Sequence, residues 1–352
     1  MDNPIKVGVI SAQITARRNG SENWEPFMPS VQRPLPSGFG RTTTAEEALA
    51  GTDLSGKLAV VTGGYAGIGR ETVRVLSGAG ASIVVPARNV EKARDALRAM
   101  PQVEIHHMDL ADPSSIDGFA RDFVASGRPL DLLINNAGIM ATPLAHNARG
   151  YESQFATNHL GHFQLVARLW PSLERSGQAR VVVLSSGAHR FSDVDFDDPN
   201  YHRRVYDKFM AYGQSKTANA LFALGLDIRG EAYGVRAFSV HPGSIATELT
   251  RYVPLEDLQA MGFRDENGDV TPHIAALYKT VEQGAATTVW CAASSQLDGL
   301  GGVYCEDCDI AQPMPADTTE LFGVLPWAMD PERADRLWLL SENLTGIKFL
   351  GG

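Results

Sequence analysis

The chain has few cysteines, fewer basic than acidic residues, and no long apolar run. Three cysteines among 352 residues cannot build a disulfide framework, so a reducing, cytoplasmic compartment is expected. Lysine and arginine number 31 against 41 acidic residues, and the formal net charge of −10 argues against nucleic acid or anionic membrane as the main partner. No stretch reaches the ~18–20 apolar residues of a membrane helix, and no signal-peptide pattern opens the chain. We therefore expect a soluble cytoplasmic protein without membrane insertion.

Three segments of different composition divide the chain. Residues 1–50 are polar and rich in proline and glycine, which predicts an N-terminal arm that ends in a short, threonine-capped helix near 42–50. Residues 51–312 form the predicted main domain. Residues 313–352 form a predicted C-terminal extension, in which the apolar Leu337–Leu340 segment indicates a helix packed on the body.

Apolar, β-branched runs alternate with amphipathic segments through the main domain. The runs lie at 58–62, 82–86, 103–108, 131–134, 180–185 and 235–240, and helical periods fill 69–78, 90–99, 114–125 and 214–230. Strands separated by helices of this length form right-handed βαβ units. The prediction is an α/β fold with a doubly wound parallel sheet in three layers. Two irregular stretches, 190–208 and 246–275, are expected to be functional loops or lids.

A glycine-rich turn follows the first strand and runs straight into a helix. Gly63, Gly67 and Gly69 permit a tight turn and close backbone approach, so the helix N-terminus can hold a pyrophosphate. A plain strand-to-helix connection is the alternative for the turn taken by itself.

Four motifs in this order resemble the short-chain dehydrogenase/reductase family. They are the Gly-x3-Gly-x-Gly spacing after Thr62, Asn-Asn-Ala-Gly at 135–138, Tyr-x3-Lys at 212–216 and Pro-Gly-x3-Thr at 242–247. The resemblance covers about residues 54–310. Within the family, the segments 156–163 and 215–222 look most like the retinol-dehydrogenase and WW-domain-oxidoreductase branch. It implies a Rossmann fold and an oxidoreductase that interconverts a carbonyl and an alcohol.

The end of the second strand bears on the choice of nicotinamide cofactor. An acid there would bind the ribose 2′-hydroxyl, but this chain has Ala87 followed by Arg88, which favours NADP(H) over NAD(H). The alternative for Arg88 is a solvated arginine at a helix start. Asp109 matches the acid that contacts adenine in the family it resembles, and its alternative is a helix cap. The cofactor-binding residues that the resemblance implies are Gly63, Tyr65, Gly67, Ile68, Gly69, Arg88, Asp109, Leu110, Asn136, Ala137, Gly138, Tyr212, Lys216, Pro242, Gly243, Ile245 and Thr247.

Tyr212 and Lys216 are the candidate proton-transfer pair. They stand four positions apart in a helical segment, so both side chains lie on one face. A nearby ammonium stabilises a phenolate and is expected to lower the phenol pKa from about 10. Tyr201 and Tyr206 compete for the role but have no lysine four positions later.

The resemblance implies two further catalytic residues. Ser186 would polarise the substrate oxygen and Asn158 would support a proton relay, whereas a turn cap and a helical polar residue are their structural alternatives. The stretch 191–209 resembles an insertion of the retinol-dehydrogenase-like branch and is expected to border the substrate cleft. Thr247 would bind the nicotinamide carboxamide, and the predicted lid spans about 245–275.

Two other functions are compatible with the same motifs. A conjugated C=C reductase resembling the light-dependent protochlorophyllide reductases keeps the same Tyr-x3-Lys pair, and a non-catalytic NADP-sensing protein would keep the glycine turn. Cys305 and Cys308 are predicted to follow the last strand and to bind no metal, since a second ligand pair is missing. The expected substrate is a small hydrophobic carbonyl or alcohol. The resemblance also implies a homodimer or homotetramer paired through helices near 151–175 and 211–231.

Overall fold

The computed structural model describes residues 16–18, 24–26, 30–245, 249 and 253–350. Its strands are Ala16–Arg18 (β1), Trp24–Pro26 (β2), Leu58–Val61 (β3), Ser82–Ala87 (β4), Glu104–His107 (β5), Leu132–Asn135 (β6), Ala179–Leu184 (β7), Val235–His241 (β8), Ser244–Ile245 (β9), Tyr278–Lys279 (β10), Val303–Glu306 (β11) and Asp309–Ile310 (β12). Its α-helices are Ala45–Leu49 (α1), Gly67–Gly78 (α2), Val90–Leu97 (α3), Pro113–Ala125 (α4), Ser153–Phe155 (α5), Gly161–Ser176 (α6), Lys208–Gly230 (α7), Leu255–Ala260 (α8), Pro272–Ala275 (α9), Val281–Ala293 (α10) and Pro331–Thr345 (α11). None of the described helices is long and apolar enough to cross a membrane.

Eight strands form the central sheet, in the order β12-β11-β8-β7-β6-β3-β4-β5. All neighbours are parallel except the β11–β12 pair. The first strand of this sheet in chain order, β3, lies inside it. The chain adds β4 and β5 on one side of β3 and then crosses to add β6, β7 and β8 on the other side. The predicted doubly wound Rossmann fold is confirmed.

Alternating side chains bury both faces of the sheet. Val60, Val84 and Leu133 pack in one core, and Ala59, Val61 and Ile83 pack in the other. The first core includes α4, α6, α7 and α11, and the second includes α1, α2 and α10. Because the strands between the two cores are parallel, their carboxyl ends meet at one edge of the sheet, where ligands bind in such folds.

Local chemistry sets where several helices begin. The Thr44 hydroxyl accepts from Glu47 N at 3.3 Å, and the Glu47 carboxylate accepts from Thr44 N at 2.7 Å, which caps α1 as predicted. Asn89 and Asp112 cap α3 and α4. The predicted 214–230 helix begins earlier, at Lys208, because Asp207 accepts from two amides of its first turn.

Two sheet strands were missing from the sequence prediction. Cys305 lies inside β11, so the prediction that it follows the last strand is wrong; the run 303–306 is too short to stand out as a strand in the sequence. Cys308 follows in the turn to β12, at φ +58°. Both thiols are buried and reduced, and burial raises the pKa of Cys308 to about 12.

Both terminal segments pack on the main body. The Gln32 amide donates to Tyr304 O at 2.9 Å and accepts from Tyr304 N at 2.9 Å, so it bonds β11 next to the short β12. Helix α11 buries Leu337 and Trp338 against α6 and α7. The proposed domain boundaries at 50 and 312 stay predictions.

Candidate active site

The glycine-rich turn between β3 and α2 has no room for side chains. Gly63 and Gly67 adopt φ +65° and +49°, a region that favours glycine. A Cβ on Gly69 would lie 2.4 Å from both Asn136 Nδ2 and Gly63 O. Tyr65 and Ile68 are partly buried against the core beneath the turn. The glycines therefore leave main chain and the first turn of α2 exposed to a ligand, as a pyrophosphate site requires.

Thr62 joins this turn to the segment after β6. Its hydroxyl accepts from Asn136 N at 2.9 Å and from Ala137 N at 3.0 Å, while Asn136 Nδ2 donates to Thr62 O at 2.8 Å. The same hydroxyl lies 3.0 Å from His162 Nε2, whose Nδ1 donates to Asn158 O at 2.9 Å. The predicted residues Asn136, Ala137 and Gly69 are thus brought together, with His162 as a further member.

The residues predicted to bind the adenosine end lie at neighbouring strand ends. Arg88 is exposed directly after β4, and its guanidinium has no ion pair within the described ranges. The Asp109 carboxylate accepts from Ala111 N at 2.9 Å, and Leu110 is buried beside it. The cap of α4 is Asp112, so the helix-cap alternative for Asp109 is wrong.

The predicted nicotinamide segment follows β8. Pro242 and Gly243 lead into β9, which pairs in parallel with β10, and a Cβ on Gly243 would lie 2.7 Å from Lys279 Cδ. Ile245 packs close to Gly284, near Ile68 of the glycine turn. Thr247 and the 246–248 part of the predicted lid lie outside the described residues.

Tyr212, Lys216 and Asn158 are buried together behind this edge. Tyr212 and Lys216 are each 5% exposed, and the Lys216 ammonium lies 5.5 Å from the centre of the Tyr212 ring. Lys216 Nζ donates to Leu184 O at 3.0 Å. A Cβ on Gly138 would lie 3.1 Å from Asn158 Oδ1 and 3.7 Å from Lys216 Nζ, so glycine keeps the space beside both groups open.

The pKa values of this pair differ from the sequence expectation. Burial raises the pKa of Tyr212 to about 12, and only the hydrogen bond with Ser186 lowers it. Burial also lowers the pKa of Lys216 to about 8. Lys216 therefore does not lower the pKa of the Tyr212 phenol, contrary to the expectation. The Lys216 ammonium bonds a main-chain carbonyl, and the desolvation of both side chains dominates their pKa values.

Ser186 combines the functional position with the structural alternative. Ser186 is the group that lowers the pKa of the Tyr212 phenol against the effect of burial. Its hydroxyl oxygen accepts from Ala188 N at 3.1 Å and caps a short 3₁₀ turn, Gly187–Arg190. Because one hydroxyl can accept and donate at once, the cap leaves the Ser186 hydroxyl hydrogen available to another acceptor.

Asn158 sits in a π-helical turn, Ala156–Leu160, between α5 and α6. Its side-chain amide donates to Ile139 O and to Ser215 Oγ, each at 2.9 Å, and its Oδ1 accepts from Ile139 N at 2.9 Å. The side chain thus ties the segment after β6 to α7. Single π turns inside helices often mark functional sites.

A cavity of about 330 Å³ lies where the segment after β6 meets the start of α7, and Ser186, Tyr212, Lys216 and Asn158 are not among its lining residues. Its lining is Ala141, Pro143, Tyr206, Asp207, Lys208 and Pro254. Residues 206–208 of the predicted insertion therefore line a cavity, and that this is the substrate cleft stays a prediction. Lys208 forms an ion pair with Asp257 of α8. Tyr206 donates to Thr142 O at 2.9 Å, so its hydroxyl is committed to the cavity wall.

Two residues in contact with Ser186 were missed by the sequence reasoning. His189 and Tyr304 are fully buried and bond the Ser186 carbonyl. Neither stands in a motif, and Tyr304 lies 118 positions from Ser186. Only the proximity of His189 to the paired serines at 185–186 could have indicated it.

The fold and these strand-end groups are those of a nicotinamide-dependent oxidoreductase. The family model described as short chain dehydrogenase matches residues 57–257, more than half of the chain. This chain belongs to the short-chain dehydrogenase/reductase family, in its retinol-dehydrogenase-like branch.

Similar proteins share most of their length with this chain. A Streptomyces lividans protein named "Probable oxidoreductase" is 46% identical over 292 residues, which are 81% of this chain and 96% of the relative. Human retinol dehydrogenase 12 is 36% identical over 327 residues, covering 91% and 94%. The solved structure of an uncharacterized protein from Mycobacterium paratuberculosis superimposes with a TM-score of 0.66 at 32% identity, covering 86% of this chain and 98% of that one.

Proposed function

We propose that this protein is an NADP(H)-dependent oxidoreductase that interconverts a small hydrophobic carbonyl compound and its alcohol. The observation that carries the proposal is the burial of Tyr212 and Lys216 one helical turn apart, with Ser186 just after β7 as the group that lowers the pKa of the phenol. A carbonyl oxygen placed between two hydroxyls would meet one hydrogen-bond donor and one proton donor.

The residues present fit a dinucleotide. The Gly63–Gly69 turn is a cradle that a Cβ at Gly69 would fill, and it opens at the N-terminus of α2. Exposed Arg88 stands where a 2′-phosphate would be bound, which supports NADP(H) over NAD(H). The other predicted cofactor-binding residues that the structure describes follow β3, β5, β6 and β8 or lie on α7, and they are proposed in those roles. Thr247, outside the described residues, is proposed from the sequence alone.

When bound, the nicotinamide supplies or accepts the hydride. In reduction, the Tyr212 phenol passes its proton to the substrate oxygen and the Ser186 hydroxyl donates a hydrogen bond to the same atom. Burial lowers the pKa of Lys216 to about 8, so its ammonium can exchange a proton near neutral pH and return one to Tyr212 after each turnover. Asn158 fixes the segment beside Lys216 through its bonds to Ile139 and supports the relay.

The cavity beside Tyr206 supports the substrate class. Ala141, Pro143 and Pro254 give it apolar walls, and its volume of about 330 Å³ suits a small molecule. The acidic net charge argues against nucleic acid as a partner. A cytoplasmic location stays part of the proposal.

The predicted homodimer or homotetramer also stays a prediction. All residues from 211 to 227 in α7 are buried within one chain, partly under Trp338 of α11. Pairing through α7 would require that cover to move. Sedimentation analysis of the full chain tests it: a 38 kDa species would count against the oligomer.

The test of the function follows NADPH consumption by the purified protein over a panel of hydrophobic aldehydes, ketones and quinones. Wild-type turnover that is lost in Tyr212→Phe, with NADPH binding retained, is the expected result. Turnover that survives in Tyr212→Phe would remove the phenol from its role. NADPH binding without turnover of any carbonyl, or of the alcohols with NADP⁺, would favour a sensor instead.

A further inference from the structure

A buried polar cluster holds the main chain of Ser186. The Ser186 carbonyl accepts from His189 N at 3.0 Å, from His189 Nδ1 at 2.9 Å and from the Tyr304 hydroxyl at 3.1 Å. Both side chains are 0% exposed, and the reaction proposed above uses neither. Buried imidazole and phenol groups are costly unless their hydrogen bonds are made, so this arrangement is specific.

The neighbours of His189 determine which of its nitrogens carries the proton. Leu325 N donates to Nε2 at 3.2 Å, so Nε2 is the bare acceptor. Nδ1 faces the Ser186 carbonyl, which can only accept, so Nδ1 carries the hydrogen. Burial lowers the pKa of His189 to about 4, which keeps the ring neutral at pH 7.

The C-terminal extension fixes this tautomer through Leu325 N and also holds the main chain of His189. Besides Leu325 N, the Trp327 indole donates to His189 O at 3.1 Å. The Thr217 hydroxyl, next to Lys216 on α7, also donates to His189 O at 3.1 Å. The 3₁₀ turn after Ser186 is therefore bonded to α7 and to the segment 324–328, while β11 contributes Tyr304.

We propose that His189 and Tyr304 are positioning residues for Ser186, and that residues 324–328 hold His189 in the tautomer this requires. The inference rests on the proposed function, in which the Ser186 hydroxyl must meet the substrate oxygen and the Tyr212 phenol. Ser186 is extended, at φ −168° and ψ 157°, and its carbonyl is the atom the two side chains anchor. The extension is then part of the active site, although it touches no reacting atom.

Loss of this anchor has a defined consequence for proton transfer. The contact with Ser186 lowers the pKa of Tyr212 against the opposing effect of burial. A Ser186 hydroxyl that drifts loses this contact, so the pKa that governs turnover rises. Misplacement of a catalytic group by about 1 Å costs on the order of 100-fold in rate.

The first experiment compares kcat, KM and the pH profile of three variants. His189→Leu and Tyr304→Phe are expected to lower kcat on the order of 10- to 100-fold and to raise the pKa of the profile, with NADPH affinity within about twofold of wild type. His189→Asn keeps a donor near the Nδ1 position and is expected to restore most of kcat. Tyr151→Phe is the matched control, because its hydroxyl also donates to a main-chain carbonyl, Leu344 O at 2.6 Å, away from Ser186.

An unchanged kcat and pH profile in folded Tyr304→Phe and His189→Leu would overturn the proposal. If His189→Leu fails to fold, Tyr304→Phe and His189→Asn still decide it, since each removes or keeps one donor with little change in volume. A loss of equal size in Tyr151→Phe would reduce the effect to general stability and would also overturn it.

The second experiment needs no turnover. The ring nitrogen chemical shifts of His189 in the wild-type protein, assigned by their absence in His189→Asn, are expected to report a neutral ring with hydrogen on Nδ1 at pH 7. Hydrogen on Nε2, or a charged ring, would overturn the arrangement. A wild-type protein with this tautomer but no turnover would count against the proposed function instead.

Discussion

The two sides of the candidate site are held together by different kinds of contact. The cofactor side, residues 62–69 and 136–138, is fixed by glycines and by bonds between adjacent strand ends, such as Thr62 with Asn136. The substrate side, residues 186–208 and 253–260 with 324–328, is fixed by side chains from distant parts of the chain, such as Tyr304 and Trp327. The contacts of the first kind lie in motifs that can be recognised in the sequence, whereas those of the second kind leave no such motif.

This difference explains what the sequence could predict. The alternation of apolar runs and helical segments was enough to predict a doubly wound parallel sheet, and the spacing of the glycines was enough for the turn, because both depend on neighbours along the chain. Strand β11 has only four residues, so its pattern carries too little signal. His189 became visible only once the fold brought Leu325 and Tyr304 to it.

The pKa of Tyr212 marks a second limit. The spacing to Lys216 predicts that both side chains share a helical face, which the structure confirms. It carries no information on burial or on the carbonyl that holds the lysine, Leu184 O. The balance of desolvation and charge therefore had to come from the folded protein.

The largest effect is expected on the cofactor side, from Gly69→Ala. The new Cβ would press on Gly63 O and Asn136 Nδ2, so we expect a loss of about 1–3 kcal/mol of stability and a fall of more than tenfold in NADPH affinity. Gly78→Ala in the same helix is the matched control, since nothing lies within 4 Å of its Cβ. Equal urea midpoints and equal NADPH affinities for the two variants would contradict the tight turn.

Acid should weaken both sides alike, because each contains one buried neutral histidine. Burial lowers the pKa of His162 and of His189 to about 4, whereas the unfolded chain binds these protons near pH 6.5. Stability is therefore full above pH 6.5 and is lost as the pH falls toward 4.

Urea unfolding at pH 7 and pH 5.5 measures this loss, expected to be about 1 kcal/mol for each histidine. His162→Gln and His189→Gln should each reduce the pH dependence by that amount. Burial also lowers the pKa of His159 and His241 to about 3, so part of the pH dependence should remain in each variant. An undiminished pH dependence in either variant would exclude that histidine.

Arg88→Ser should separate the two nicotinamide cofactors. Loss of a charge-assisted bond to a 2′-phosphate costs about 1.5–3 kcal/mol, so NADPH affinity is expected to fall about 10- to 100-fold while NADH affinity stays the same. Arg98→Ser, an equally exposed arginine at the end of α3, is the control. Parallel changes for both cofactors would exclude Arg88 as the selecting residue.

The smallest effect is expected on the substrate side, at the ion pair between Lys208 and Asp257. Both side chains are partly exposed, at 25% and 32%, so their coupling should be below about 1 kcal/mol in a double-mutant cycle. Lys208→Met and Asp257→Asn should raise the substrate KM a few-fold and leave NADPH affinity unchanged. A change in NADPH affinity would show that the two sides are coupled through α8.

The Gln32 side chain has a consequence for solubility. An exposed strand edge offers free N–H and C=O groups to any other chain that can extend the sheet, which is a common start of aggregation. In this protein a single carboxamide bonds both groups of Tyr304, and its donor also reaches Ala311 O at 2.6 Å. The short β12 pairs with the end of β11, and Ala311 N also donates to Tyr304 O at 2.8 Å, so the Gln32 side chain completes this cover at Tyr304 N. A protein cut between Gln32 and the main domain would leave that N–H open to another chain.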